Sequence, residues 1–213
     1  MAEQAPRERY RAQVREEIKQ HARQQIAEAG LPALSLTAIA KQMSMTVPAL
    51  YRYYRGRDEL ITALIRDAFR SLADTVRAAA DSGADLLALA HVIRDWAKAD
   101  PQRYFLLYGT PVPGYHAPPD TTAISSEVME VLLEASAREG EPESTPFQAH
   151  LETHREWVGR DTVSTGAARL ALAFWTRLHG VLSLELAGHF TGMKFDPGLL
   201  IDDELAQLRG HGG

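Results

Sequence analysis

The 213-residue chain contains no cysteine, which excludes disulfides, thiolate metal sites, cysteine nucleophiles and thiol redox sensing. Long apolar runs are missing as well. The most apolar stretch, from Ala167 to Phe190, is interrupted by Arg169, Arg177 and Glu185, so it predicts a buried helix and not a membrane span. Residues 1–10 are polar and lack the apolar core of a signal peptide. A soluble, cytoplasmic protein without a membrane partner is the expectation. No segment alternates apolar and polar residues as a half-buried strand does, and no repeat or low-complexity tract occurs. There is no serine elbow, no pair of carboxylates suited to acid–base chemistry and no dinucleotide fingerprint. An enzyme is therefore not expected, and no cofactor is called for.

Two weaker patterns are set aside on chemistry. Gly109 and Gly114 have the spacing of a phosphate loop's glycines, but Tyr115 and His116 stand where Lys and Ser or Thr are required. His150 and His154 are four residues apart and could share a metal ion, yet no third ligand is evident, and Glu152 falls one place too late for a His-Glu-x-x-His site. A solvated polar face is expected there, and no metal.

What is present is helical periodicity with a marked charge asymmetry. The net charge is −5, but residues 1–57 hold ten basic side chains against five acidic ones, a net of +5, which leaves −10 for the rest. A basic end on an acidic body is the footprint of a chain that meets nucleic acid at one end only. Apolar spacing predicts helices over 7–29, 36–43, 47–54, 57–80, 85–99, 101–109, 120–138, 147–157, 162–190 and 197–208. Gly30 and Pro32 stop the first, Ser35 and Thr46 are good N-caps for the second and third, and Asp58 and Glu59 favour the start of the fourth. The fold class is all-α. Domains are expected at 1–57 and 58–213, linked through the long helix at 57–80.

Two short helices joined by Met43-Ser44-Met45-Thr46 and buttressed by a longer one form the sequence picture of a helix-turn-helix. Ile39, Ala40, Met43, Met45 and Leu50 would pack the pair together. Val47, Pro48, Ala49, Tyr51, Arg52 and Tyr53 are left on the outward part of the second helix, where Arg can fork onto guanine, Tyr can bond phosphate and small apolar groups can touch thymine methyls.

The run LTAIAKQMSMTVPALYRYYRGRDELITALI resembles the DNA-binding signature of the tetracycline-repressor (TetR) family over residues 8 to 60. Its Leu50-Tyr51, Tyr53-Tyr54 and Arg57-Asp58-Glu59-Leu60 occupy the family's aromatic block and the basic opening of the next helix. The resemblance implies phosphate contacts from Ser35, Thr37, Tyr51 and Arg57, and base contacts from Val47, Pro48, Ala49, Arg52 and Tyr53. Ser44 departs from the glycine usual in the family's turn, a position where φ is expected to be positive. Trp175, His179 and Gly180, within FWTRLHGVLSLELAGHF, are similar to a C-terminal regulatory helix marked by Trp, His and Gly, and RYFLLYGTPVPGY looks typical of the same subgroup.

From these follow a helical regulatory and dimerising domain and an unknown apolar or aromatic effector. Its candidate contacts are Trp96, Tyr104, Tyr108, His116, Trp157, Trp175 and His179; for any one of them core filling is the commoner role, while for the group the resemblance favours a pocket. The helix over 162–190 is apolar on more than one face, and Gly166, Ala167 and Gly180 would allow close approach of a second subunit. A homodimer on a palindromic duplex DNA operator is expected, with the effector releasing a repressor. The alternatives are an effector-independent regulator or activator, or a helical enzyme or metal-binding module.

Overall fold

A computed structural model describes residues 6–110, 115, 118–140, 144–158 and 163–210. The described residues are helical, with turns between, and contain no strand. The helices are α1 (Pro6–Ala29), α2 (Leu36–Gln42), α3 (Val47–Tyr51), α4 (Arg57–Asp81), α5 (Leu86–Ala99), α6 (Pro101–Tyr108), α7 (Pro119–Ser136), α8 (Pro146–Leu151), α9 (Thr165–Leu186) and α10 (Pro197–Gly210). The all-α expectation holds. The chain separates into two compact units, residues 1–69 with 102–121, and residues 70–101 with 122–213.

In the first unit the four-residue row Val14, Ile18, Ala22 and Ile26 of α1 is buried against Ile39 and Ala40 of α2, Leu50 of α3, and Leu60, Ile61, Leu64 and Ile65 of α4. Sealing each such aliphatic side chain from water is worth roughly 1.5–3 kcal/mol, and this shared core fixes the short α2 and α3, which are too brief to be stable alone. Leu106 and Leu107 of α6, together with Tyr115, pack on the same core. A polar cluster seals one flank: Lys19 Nζ lies 2.7 Å from Glu16 and 2.5 Å from Asp67 of α4, and Arg23 also pairs with Glu16. The Lys19 bond holds the Glu16 carboxyl below its usual range. Burial alone would lower the Lys19 ammonium, but the two carboxylates outweigh it and leave it raised.

The second unit is braced by ion pairs between distant helices. Arg94 of α5 makes a bidentate pair with Glu185 of α9, at 2.7 and 2.9 Å, with both side chains largely buried, and reaches Asp196 at 3.4 Å. Arg77 of α4 meets Glu134 of α7 at 2.7 Å, and Arg70 pairs with Glu127. His91 of α5 and Asp202 of α10 lie 2.7 Å apart. The apolar core includes Leu89, Ile93, Leu132, Phe174, Leu178 and Leu182, all at or below 1% exposure.

Three helices end at least three residues earlier than periodicity predicts. The third stops at Tyr51 and not near Tyr54, because the amides of Arg52 and Tyr53 turn back to the carbonyls of Ala49 and Leu50, three residues behind. The helix expected over 147–157 is only Pro146–Leu151 plus a 3-10 turn at Glu156–Val158. There Thr153 Oγ1 and His154 Nδ1 both reach the carbonyl of His150, at 3.2 and 2.9 Å, and take the acceptor that a continuing helix needs. The long helix ends at Leu186 instead of Phe190. Gly188 (φ +81°) lets its own amide reach Glu185 O at 3.0 Å and the His189 amide reach Leu184 O at 3.0 Å, a Schellman closure.

Candidate nucleic-acid interface

Ser35 and Thr46 cap α2 and α3, their hydroxyls accepting from the amides of Ala38 and Ala49, each at 3.3 Å. Gln25 of α1 accepts the Ser35 amide at 2.9 Å, which ties the entry of α2 to the buttressing helix. Between the two short helices the chain turns through another Schellman closure. The Ser44 amide reaches Lys41 O at 3.1 Å and the Met45 amide reaches Ala40 O at 2.8 Å, with Ser44 at φ +54°. The positive φ expected at this turn is present, carried by serine where the left-handed conformation costs an L-residue about 1–2 kcal/mol. The bulk of Met43 and Met45 packs against the shared core and holds the turn in place.

This frame splits the last turns of the motif into inward and outward residues. Leu50 and Tyr54 are buried, at 0% and 1% exposure, whereas Tyr51 is 45% exposed. Pro48 and Arg52 are exposed on the same helix, Val47, Ala49 and Tyr53 are half-buried, and Thr37 is exposed in the first turn of α2. The structure thus brings Thr37, Pro48, Tyr51 and Arg52 to the surface of one helix pair. Arg57, at the start of α4, donates to the carbonyls of Leu31 at 2.8 Å and Leu34 at 3.4 Å. Its guanidinium therefore braces the approach to α2, beside Ser35. Glu59, whose carboxylate accepts the Arg55 amide at 2.7 Å, caps the start of α4 and is held below its usual range by that bond.

Three supporting residues escaped the sequence reading. Arg15 Nη1 donates to Tyr53 O at 2.6 Å, and its guanidinium lies 4.2 Å from the centre of the Tyr54 ring. Arg11 Nη2 reaches Arg52 O at 3.4 Å. Both place positive charge on the carbonyls that end α3, where a helix dipole welcomes it. Tyr54, which the aromatic block presents as equivalent to its neighbours, is the inward anchor of that contact. The four-residue spacing of Arg11 and Arg15 was the available signal.

The candidate effector residues divide between the two units. In the first, Tyr104 and Tyr108 of α6 pack ring to ring with centroids 5.3 Å apart, Phe69 meeting Tyr108 edge-on and Phe105 meeting Tyr104. Burial raises the Tyr104 hydroxyl to about 12 and that of Tyr108 further, so both stay protonated. In the second, Trp96 is 6% exposed and its indole donates to Ser71 Oγ at 3.1 Å. Trp175 and His179 contact each other with ring centroids 3.9 Å apart, and burial pushes the His179 imidazole down to about 4, so it is neutral at pH 7. Trp157 is 42% exposed. His116 lies outside the described residues. His150 and His154 stack with centroids 4.2 Å apart, and no group of three metal-ligating side chains occurs among the described residues. No described helix is long and apolar enough to cross a membrane.

Comparisons with known proteins match the chain in two successive stretches. Residues 18–64 match the family model of bacterial regulatory proteins of the tetR family, and residues 86–208 match that of the tetracyclin repressor-like C-terminal domain. The chain is 38% identical to the HTH-type transcriptional regulator Rv1816 of Mycobacterium tuberculosis, over 93% of this chain and 92% of that one. The crystal structure of the regulatory protein SCO4313 is 62% identical, with a TM-score of 0.89, covering 96% of this chain and 98% of that one. The fold is also that of the transcriptional regulator FadR from Bacillus subtilis in complex with stearoyl-CoA, at 12% identity and a TM-score of 0.53, covering 92% and 97%. With a helix-turn-helix head and a helical C-terminal region each matched in turn, the chain belongs to the TetR family of DNA-binding transcriptional regulators.

Proposed function

We propose that the protein is a dimeric repressor that reads a palindromic operator through α3 and releases it when a small apolar or aromatic molecule binds the C-terminal helices. The observation that carries the reading is the split of α3: Leu50 is sealed in the core while Tyr51 beside it stands 45% exposed. In this reading Val47, Pro48, Ala49, Arg52 and Tyr53 meet base edges. Ser35, Thr37, Tyr51 and Arg57 meet phosphates, Arg57 while also bracing the approach to α2.

Support for a dimer comes from α9 and α10. Thr176, Gly180 and Leu184 form an exposed row on α9, a Cβ added at Gly180 would meet nothing within 4 Å, and Leu199 of α10 is 67% exposed. The small residues Gly166 and Ala167, expected on that outward face, are instead buried within the unit, so close approach falls to Gly180. Two-fold pairing would set half-sites about one helical turn (~34–36 Å) or somewhat more apart.

Support for an effector comes from the neutral His179 packed on Trp175, from Trp96, and from the fold shared with FadR, a protein described in complex with stearoyl-CoA. Because Leu106 and Leu107 of α6 rest on the head's core, displacement of α6 is felt by the helices that carry α3. The effector acts only through its differential affinity for the DNA-bound and released states, typically 1–3 kcal/mol of coupling.

Selection from a randomised duplex pool tests the reading, with a Tyr51→Ala, Arg52→Ala variant beside the natural chain. A palindrome enriched by the natural chain and not by the variant is expected. Sequence-blind, salt-sensitive binding by both would remove α3 as the reading helix. Titration of candidate acyl and aromatic ligands against the bound palindrome then separates a released repressor from an effector-independent regulator.

A further inference from the structure

The helix-turn-helix leaves part of the head's positive charge unused. Lys19 and Arg23 are neutralised by Glu16 and Asp67, Arg15 is engaged with Tyr53 and Tyr54, and Arg57 braces the approach to α2. Arg7, Arg9 and Arg11, in the first turns of α1, are exposed, and among the described residues no carboxylate pairs with them. Arg7, Arg11 and Arg15 follow one another at four-residue intervals, so they share a face of α1. Arg15 and Arg11 bond the carbonyls of Tyr53 and Arg52 in turn. The row therefore runs along the end of α3, and Arg7 extends it by one more turn, about 5.4 Å.

Tyr10 adds to the same picture. It continues the buried row Val14, Ile18, Ala22 and Ile26 by one turn, yet it is 65% exposed, the aromatic ring projecting past the core that its successors fill. Just past the α3 terminus Arg55, 3.4 Å from Glu59, has a side chain 93% exposed. Cationic and hydroxyl donors that run on from the recognition helix without a break match a phosphodiester backbone in charge and in hydrogen-bonding sense.

We propose that the first two turns of α1 form a second DNA contact, in which Arg7, Tyr10 and Arg11 hold the phosphates flanking the segment read by α3. The proposal rests on α3 being the reading helix and extends the footprint of each head beyond its base contacts. Since these donors meet backbone and not base edges, they set affinity and salt dependence and leave the preferred sequence unchanged.

The test compares the full-length natural chain with Arg7→Gln, Arg7→Gln/Arg11→Gln and Arg9→Gln on the selected palindrome, in a long duplex and in one trimmed to the palindrome's ends. Arg9 sits on another face of α1 and controls for net charge. The log–log slope of affinity against salt is expected to become shallower by about 0.9 for Arg7→Gln and about 1.8 for the double variant. Arg9→Gln should leave it unchanged, the difference should vanish on the trimmed duplex, and the enriched sequence should stay the same. Arg7→Gln disturbs no hydrogen bond among the described residues of the head, so its result does not depend on the Arg11 contact with α3. Equal slopes for the natural chain and Arg7→Gln, an equal change for Arg9→Gln, or a loss that persists on the trimmed duplex would each overturn the proposal while leaving α3 as the reader. Failure of the natural chain to enrich any sequence would overturn both.

Discussion

At the end of α3, residues named for DNA contact point away from the packing. Tyr51 is exposed between a sealed Leu50 and a sealed Tyr54, and Arg52 offers its side chain to solvent while its carbonyl is held by Arg11. In the second unit two of the residues named for effector contact, Trp96 and His179, belong to the packing, while Trp157 is exposed. Trp96 is buried with its indole proton taken by Ser71, and His179 is driven neutral by its surroundings against Trp175. A DNA reader must present its chemistry outward on a rigid frame, whereas a receptor for apolar molecules is lined by the same side chains that build a core. The supports differ too. The head rests on one continuous apolar core closed by caps, while the second unit adds a largely buried ion pair between helices 91 residues apart.

The largest expected effect strikes that ion pair. Arg94→Ala leaves the Glu185 carboxylate in its buried setting, with Lys98 3.9 Å away as a partial substitute, and should cost about 3–5 kcal/mol. Hydrogen exchange should show the loss in α5, α9 and α10, with α1 to α3 retaining their protection; uniform loss would break the contrast between the units. Leu50→Ala should cost roughly 2–4 kcal/mol through the cavity it opens. Here exchange should rise in α1 to α3 and spare α9, and DNA affinity should fall although no contacting side chain has changed.

A third prediction concerns pH. The His179 imidazole is depressed to about 4, so between pH 6.5 and 4 the unfolded chain binds the proton that the folded chain refuses. Stability is therefore complete above about pH 6.5 and is lost as pH falls toward 4, by on the order of 2–3 kcal/mol. Chemical denaturation from pH 7 to 4.5 should follow this slope for the natural chain and a flatter one for His179→Gln; identical slopes would place the acid sensitivity elsewhere. The smallest effect belongs to the turn. Ser44→Gly relieves a left-handed serine and, after the added freedom of the unfolded glycine, should raise stability by about 0.5–1 kcal/mol. A higher melting temperature with unchanged DNA selectivity is the expected outcome.

The head was legible because its signals are local. Ser35 and Thr46 cap helices that begin at the next residue, and the left-handed turn at Ser44 sits where four residues separate two apolar patterns. The LYRYY block passes from buried Leu50 through exposed Tyr51 and Arg52 back to buried Tyr54 within five residues, so periodicity alone separated Leu50 from Tyr51. Other features needed distant partners. Tyr54 could be recognised as an anchor only through Arg15, 39 residues away. Side chains of Thr153 and His154 competing for one carbonyl shortened a helix that apolar spacing extends to Trp157.

The sequence by itself determined the all-α class, the caps and turn of the helix-turn-helix, and the outward placement of Pro48, Tyr51 and Arg52, because each depends on interactions within a few residues of the chain. Only the tertiary structure decided which basic residues remain available and which glycines face outward. Lys19 and Arg23 are neutralised, while Arg7 and Arg11 run along the end of α3. Gly166 is buried while Gly180 is exposed. A charge or a small side chain acquires its role from what lies across from it, and that is set by packing between residues far apart in the chain.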